Sequence, residues 1–203
     1  FRYTRPEARE KLGLADDRPL LLSYWGSLGA EVMNRRMVDF LEREAKEGAP
    51  FRHIHGAGRD YAWMQEELLR RGVKLEGTGI EVREYIYDMA DVMRAADLVI
   101  CRAGAMTLSE VAQMGKAAIM IPSPNVTDNH QYKNAKAIAD ADAGILLEEG
   151  QVSAGGLTQL VCDLLDAPDV RARLGRHIRE RFAKPDANER IYDEIMKLCG
   201  GAE

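Results

Sequence analysis

The chain has 203 residues, 46% of them hydrophobic, which is enough to bury a core of ordinary size, and its length favours one domain over two small ones. Lys and Arg number 28 against 33 Asp and Glu, a net charge of -5, so no chain-wide basic field is available to hold nucleic acid or an anionic membrane. No apolar run approaches the roughly 18 to 20 residues that cross a bilayer, so direct membrane insertion by this chain is not expected.

The leading segment, residues 1–18 with "FRYTRPEAREKLGL", reads as a linker entering a domain that spans 19–203; the chain opens on Phe1 rather than Met and is expected to continue upstream. The first strand is "PLLLSYW" (19–25), followed by "GSLGA" and a helix from about Glu31 to Lys46. "FRHIHGAG" (51–58) is strand and loop, 60–71 a helix, and "VKLEGT" a short strand. "VREYIYDMADVMRAAD" (82–97) reads as an edge strand or loop and then a short helix. "LVICR" is the fourth strand, 105–115 its helix and "AAIMIPS" the fifth strand. A helix over 127–140, a sixth strand "GILLE" and two or three helices complete the chain.

Short apolar runs alternating with amphipathic segments imply βαβ units and a doubly wound, Rossmann-like parallel α/β sheet. Ligands of such sheets bind beyond the carboxyl ends of the strands, where the strand order reverses. The loops "GSLGA", "HGAG", "CRAGAMT" and "PSPNVTDNHQ" all fall at such ends.

Each loop has a functional and a purely architectural reading. Gly26 and Gly29 would let backbone N–H groups approach an anion, or simply make a tight turn. The loop is not GxGxxG, and no clear acidic residue ends the second strand, which disfavours a nicotinamide cofactor. A helix starting near Gly104, Ala105 and Met106 has small or uncharged residues in its first turn. Its N–H groups and positive dipole end would therefore be left for a diphosphate, with Thr107 adding a hydroxyl. Glu110, one turn in, is placed to accept two hydrogen bonds from a ribose diol, or else is merely solvated. Asp128, Asn129, His130, Gln131 and Asn134 crowd the start of the next helix; such groups suit sugar hydroxyls, although Thr127 or Asp128 would also serve as an ordinary N-cap.

Two patterns resemble metal sites and are set aside. Asp140-Ala141-Asp142 has DxD spacing but lies at a helix end before Gly144, and His53 with His55 lacks a third ligand candidate. Cys101, Cys162 and Cys199 are odd in number, widely spaced and without a CxxC pair, and are expected as buried thiols of a reducing cytosol.

Together "GSLGAE", "HGAG", "YIYDMADVMRAADLVICRAGAMTLSEVAQMGKAAIMIPSP" and "DNHQYKNAKAIADADAGILL" resemble the C-terminal domain of the MurG family, the peptidoglycan N-acetylglucosaminyltransferases that convert lipid I to lipid II. The resemblance runs from Pro19 to the C-terminus. It implies the C-terminal half of a glycosyltransferase-B fold that binds UDP-N-acetylglucosamine as a substrate, with no cofactor and no metal. By this resemblance Ile86 offers its backbone to the uracil, with Tyr85 beside the base, and Glu110 holds the ribose. Gly104, Ala105, Met106, Thr107 and Ser27 serve the diphosphate, and Gln131, Asn134 and the neighbouring His130 the sugar. The family usually has Gly where Trp25 stands, which would narrow the phosphate loop, and a second Gln where His130 stands.

The family's lipid-linked acceptor and candidate general base belong to an N-terminal domain that nothing in this chain supplies, so no catalytic residue is expected here. The alternatives are a donor-binding subunit of a two-chain N-acetylglucosaminyltransferase, a diacylglycerol glycosyltransferase domain, and a non-catalytic nucleotide-binding module.

Overall fold

The computed structural model describes residues 4–26 and 30–200. Among them the apolar runs form β1 (Leu20–Tyr24), β2 (Arg52–Gly56), β3 (Ile80–Arg83), β4 (Leu98–Cys101), β5 (Ala118–Met120) and β6 (Ile145–Leu146). All their pairings are parallel, in the order β3-β2-β1-β4-β5-β6. Winding proceeds outward from β1 to β3, then restarts at β4 and proceeds the other way. The switch point of this Rossmann-like sheet therefore lies between β1 and β4.

Strands buried on both faces read as continuous apolar runs, as "LLLSY" and "LVIC" do. Alternation then decides which helix layer each side chain meets. Leu21, Trp25, Leu98, Ile100 and Ile119 pack with α2 (Glu31–Glu47), α3 (Tyr61–Arg70) and α7 (Ala154–Leu165). Leu20, Leu22, Tyr24, Val99, Cys101 and Met120 point the opposite way, toward α4 (Met89–Ala95), α5 (Ala105–Met114), α6 (His130–Asp140) and α8 (Pro168–Phe182).

The third strand is not "VKLEGT". Gly77 and Gly79 adopt φ of 76° and 88°, and the Thr78 N–H closes a turn on the Leu75 carbonyl at 3.1 Å, so extended backbone resumes only at Ile80. The helix expected over 127–140 begins as a 3-10 turn at Thr127–Asn129, and α6 proper starts at His130. The leading segment contains a helix, α1 (Arg5–Lys11), whose Glu7 carboxylate accepts from the Thr4 N–H at 2.6 Å and the Thr4 hydroxyl at 2.7 Å. Ala8 is fully buried, and Lys11 and Arg5 pair with Asp91 and Asp97 across the α4 side of the molecule. Of the three thiols expected to be buried, only Cys101 is; Cys162 is partly covered and Cys199 exposed.

Candidate functional site at the carboxyl edge of the sheet

A cavity of about 400 Å³ opens beyond the carboxyl ends of β1, β2 and β3 and over the first turn of α5. Tyr24 and Gly26 enter it from β1, Gly56 and Gly58 from β2, and Glu84, Tyr85, Ile86 and Met89 from the segment after β3. Met106, Thr107 and Glu110 complete it from α5. A side chain at Gly56 would set a Cβ 3.1 Å from Ile86 Cδ1, so the Ile86 side chain would have to give by a few tenths of an ångström. Tyr85, on the cavity wall, meets Tyr87 at a ring-centroid distance of 4.9 Å with the rings tilted by 54°. A more apolar groove of about 460 Å³, with Tyr87, Met93 and Met114, adjoins the cavity across the exposed Met106.

α5 starts without a side-chain cap. Its N-cap is Gly104, no acidic residue stands in the first turn, and the Leu108 N–H makes the first intrahelical bond, to the Gly104 carbonyl at 3.0 Å. The amides of Ala105, Met106 and Thr107 have no acceptor among the described residues and add to the positive end of the helix dipole. Glu110 makes no ion pair or hydrogen bond among the described residues, and partial burial raises its carboxyl pKa above the usual range.

His130, Gln131 and Asn134 lie at the start of α6, outside the cavity lining. Gln131 Oε1 accepts from the Ser123 N–H at 2.9 Å, and Asn134 Nδ2 donates to the Ala103 carbonyl at 3.2 Å, which ties α6 to the entry of α5. His130 is exposed. Neither Thr127 nor Asp128 caps the helix; Asp128 and Asn129 turn through positive φ of 54° and 49°, and Asn129 is the N-cap without a side-chain bond. Ser27 lies outside the described residues.

β4 ends at Cys101, and Arg102 follows it. Cys101 is buried and its thiol is pushed up to about 12, by burial and then by the charge of Glu110. Arg102 turns to the opposite face, where it pairs with Glu149 at 2.5 Å, donates to the Ile121 carbonyl at 3.1 Å and lies over Trp25. Trp25, expected to narrow the phosphate loop, packs on that face too, away from the cavity.

His53 and His55 belong to a buried polar chain. Glu44 Oε2 meets His53 Nδ1 at 2.8 Å, and Ser23 Oγ bridges His53 Nε2 and His55 Nδ1 at 2.7 Å each. His55 Nε2 meets Asn34 Oδ1 at 3.1 Å, and Asn34 Nδ2 donates to the Ala57 carbonyl and to Asp60. Asp140 pairs with Lys136 at the end of α6, and Asp142, at φ 50°, pairs with Arg173.

Tyr24, Gly56, Gly58, Glu84 and Met89 are cavity residues that the sequence reading did not assign. The glycines were visible in "HGAG", and strand parity places Tyr24 on the α5 side once the end of β1 is known.

A doubly wound sheet of order 3-2-1-4-5-6, with its cavity at the switch point over a free helix N-terminus, defines a Rossmann-like domain of the kind that forms half of a glycosyltransferase-B fold. The chain belongs to the family described as the glycosyltransferase family 28 C-terminal domain, whose pattern matches residues 24–191. It is 36% identical over 98% of its length to a protein of Thermoanaerobacter sp. (strain X514), and 37% identical over 97% to one of Anaeromyxobacter dehalogenans (strain 2CP-C). Both are named UDP-N-acetylglucosamine--N-acetylmuramyl-(pentapeptide) pyrophosphoryl-undecaprenol N-acetylglucosamine transferase. The chain spans 53% and 48% of those proteins, about half their length. Among solved structures it superposes on Acinetobacter baumannii MurG with a TM-score of 0.75 and 31% identity, over 96% of this chain and 53% of that one.

Proposed function

We propose that this chain is the donor-binding half of an inverting hexosyltransferase that moves N-acetylglucosamine from UDP-N-acetylglucosamine to an undecaprenyl-diphospho-N-acetylmuramoyl-pentapeptide acceptor in peptidoglycan synthesis. The observation that supports it most is the unopposed N-terminus of α5 facing the cavity, with the unpaired Glu110 one turn away. Three backbone amides and a helix dipole suit a diphosphate, and a carboxylate without a cation suits a ribose diol.

Tyr85 and Ile86 would receive the uracil, Glu110 the ribose, and Gly104, Ala105, Met106 and Thr107 the diphosphate, with Ser27 in support. Gln131, Asn134 and His130 would take the sugar. During transfer an acceptor hydroxyl attacks the anomeric carbon, the bond to UDP breaks, and negative charge grows on the leaving diphosphate. Donors already oriented toward that charge stabilise it without reorganising. The lipid-linked acceptor and the general base would come from the part of the relatives that this chain does not span, so the chain alone is expected to bind donor without transferring it. No helix among the described residues is long and apolar enough to cross a membrane, and the intact protein would work at the inner face of the cell membrane.

Calorimetric titration with UDP-N-acetylglucosamine, UDP-glucose, UDP and NAD tests this reading. Selective binding of the first is expected. Glu110→Ala should weaken UDP by about 1 to 3 kcal/mol, roughly 5- to 150-fold in Kd, because hydrogen bonds to a charged group are lost. Equal affinity for UDP-glucose would point instead to a glucosyltransferase, and equal binding of UDP by the variant would remove Glu110 from the site.

A further inference from the structure

Tyr24 is the last residue of β1 and stands in register between Gly56 of β2 and Cys101 of β4. Neither neighbour has a bulky side chain, so the ring lies against the sheet on the α5 side, on the cavity floor, with only 6% of the residue exposed. Its hydroxyl is buried and has no hydrogen-bond partner among the described residues. Buried hydroxyls are nearly always bonded, and a phenylalanine would fill the same space without an orphaned donor. The Thr107 hydroxyl, from the first turn of α5, lies close enough to act on the phenol and lower its pKa, without a hydrogen bond of full geometry between them. Burial first, then the thiol of Cys101 and the carboxylate of Glu110, hold the phenol well above its ordinary pKa, so it remains a neutral donor.

We propose that Tyr24 is a positioning residue of the donor site: on ligand binding its O–H donates to Thr107 Oγ1, which turns the Thr107 hydroxyl proton toward a phosphoryl oxygen of a nucleoside diphosphate. This rests on the nucleotide-sugar reading above. Threonine in a helix populates two χ1 rotamers, so the Thr107 hydroxyl can move the short way needed without disturbing α5. A donor behind a hydroxyl also polarises it, strengthening the bond that the hydroxyl gives onward. The ligand supplies the acceptor at the end of the chain, and so the orphan at Tyr24 is satisfied only when the cavity is filled.

The test is a double-mutant cycle of Tyr24→Phe and Thr107→Val on the 203-residue chain, with UDP and uridine titrated by calorimetry and Tm recorded for each variant. Thr107→Val should weaken UDP about tenfold and Tyr24→Phe about three- to fivefold, and in the Thr107→Val background Tyr24→Phe should add nothing. Uridine affinity and Tm should be unchanged by Tyr24→Phe, because the hydroxyl has no partner among the described residues of the free protein. The assignment is overturned if Tyr24→Phe leaves UDP binding intact, weakens uridine as much as UDP, or acts by the same factor with and without the Thr107 hydroxyl. A parent chain that binds UDP under these conditions places any such failure on the relay alone; a parent that binds no uridine nucleotide overturns the donor-site reading and the relay with it.

Discussion

His53 and His55, two residues apart, resemble half of a metal site, yet each ring nitrogen is committed within the chain from Glu44 to Asn34. The far end of that chain holds the Ala57 carbonyl, next to the cavity glycine Gly58. Burial, and then the neighbouring His53, lower the pKa of His55 to about 3. The unfolded chain titrates at its ordinary value near 6.5, so between those values it is the unfolded state that binds the proton. Stability is thus unaffected above about pH 6.5 and falls below it by up to about 1.4 kcal/mol per pH unit. Comparing Tm against pH for the parent and His55→Gln should show a flatter curve for the variant between pH 6.5 and 4; parallel curves would clear His55 of the effect. Sequence periodicity could place the two histidines on one face, but Ser23, the hydroxyl that joins them, comes from another strand.

α5 is the element on which the site depends, and its far end is set by its own glycine and by close contact with α8. Gly115 ends the helix at φ 62°, and Gly175 of α8 packs so closely that a Cβ there would collide with the Gly115 carbonyl oxygen. Backbone has no rotamer to relieve such a collision, so Gly175→Ala must push the helices apart. A loss of about 1 to 3 kcal/mol is expected, seen as a Tm drop of roughly 2 to 4 °C per kcal/mol. An unchanged Tm would mean that the α5–α8 spacing is soft. The N-terminal end of α5 was legible in advance, because Gly104, Ala105 and Met106 offer no cap in whatever fold surrounds them. The boundary of β3 was not: "VKLEGT" has strand-like alternation, and only the left-handed conformations of Gly77 within it and Gly79 after it decide that it turns.

At the scale of the whole molecule the described residues divide into a sheet packed on both faces and α9 (Ala187–Gly200), which stands apart from both cores. Ile191, Tyr192, Ile195, Met196 and Leu198 are each at least half exposed. A helix that adds nothing to the core contributes little to its stability, so Ile191→Ser and Ile195→Ser should each leave Tm within about 2 °C, since surface changes stay within about 0.5 kcal/mol. A larger fall would show that α9 packs on the domain in solution.

Composition and local pattern were enough for the α/β class, the parallel winding and the uncapped start of α5, because these follow from side-chain polarity at fixed spacing and from the residues of a single turn. The identity of the edge strand, the direction in which Trp25 and Arg102 turn, and the meeting of Tyr24 with Thr107 were decided only in three dimensions. Each depends on groups from strands and helices far apart in the chain, and no local rule reports which of two sheet faces, or which neighbour in the strand order, a side chain will meet.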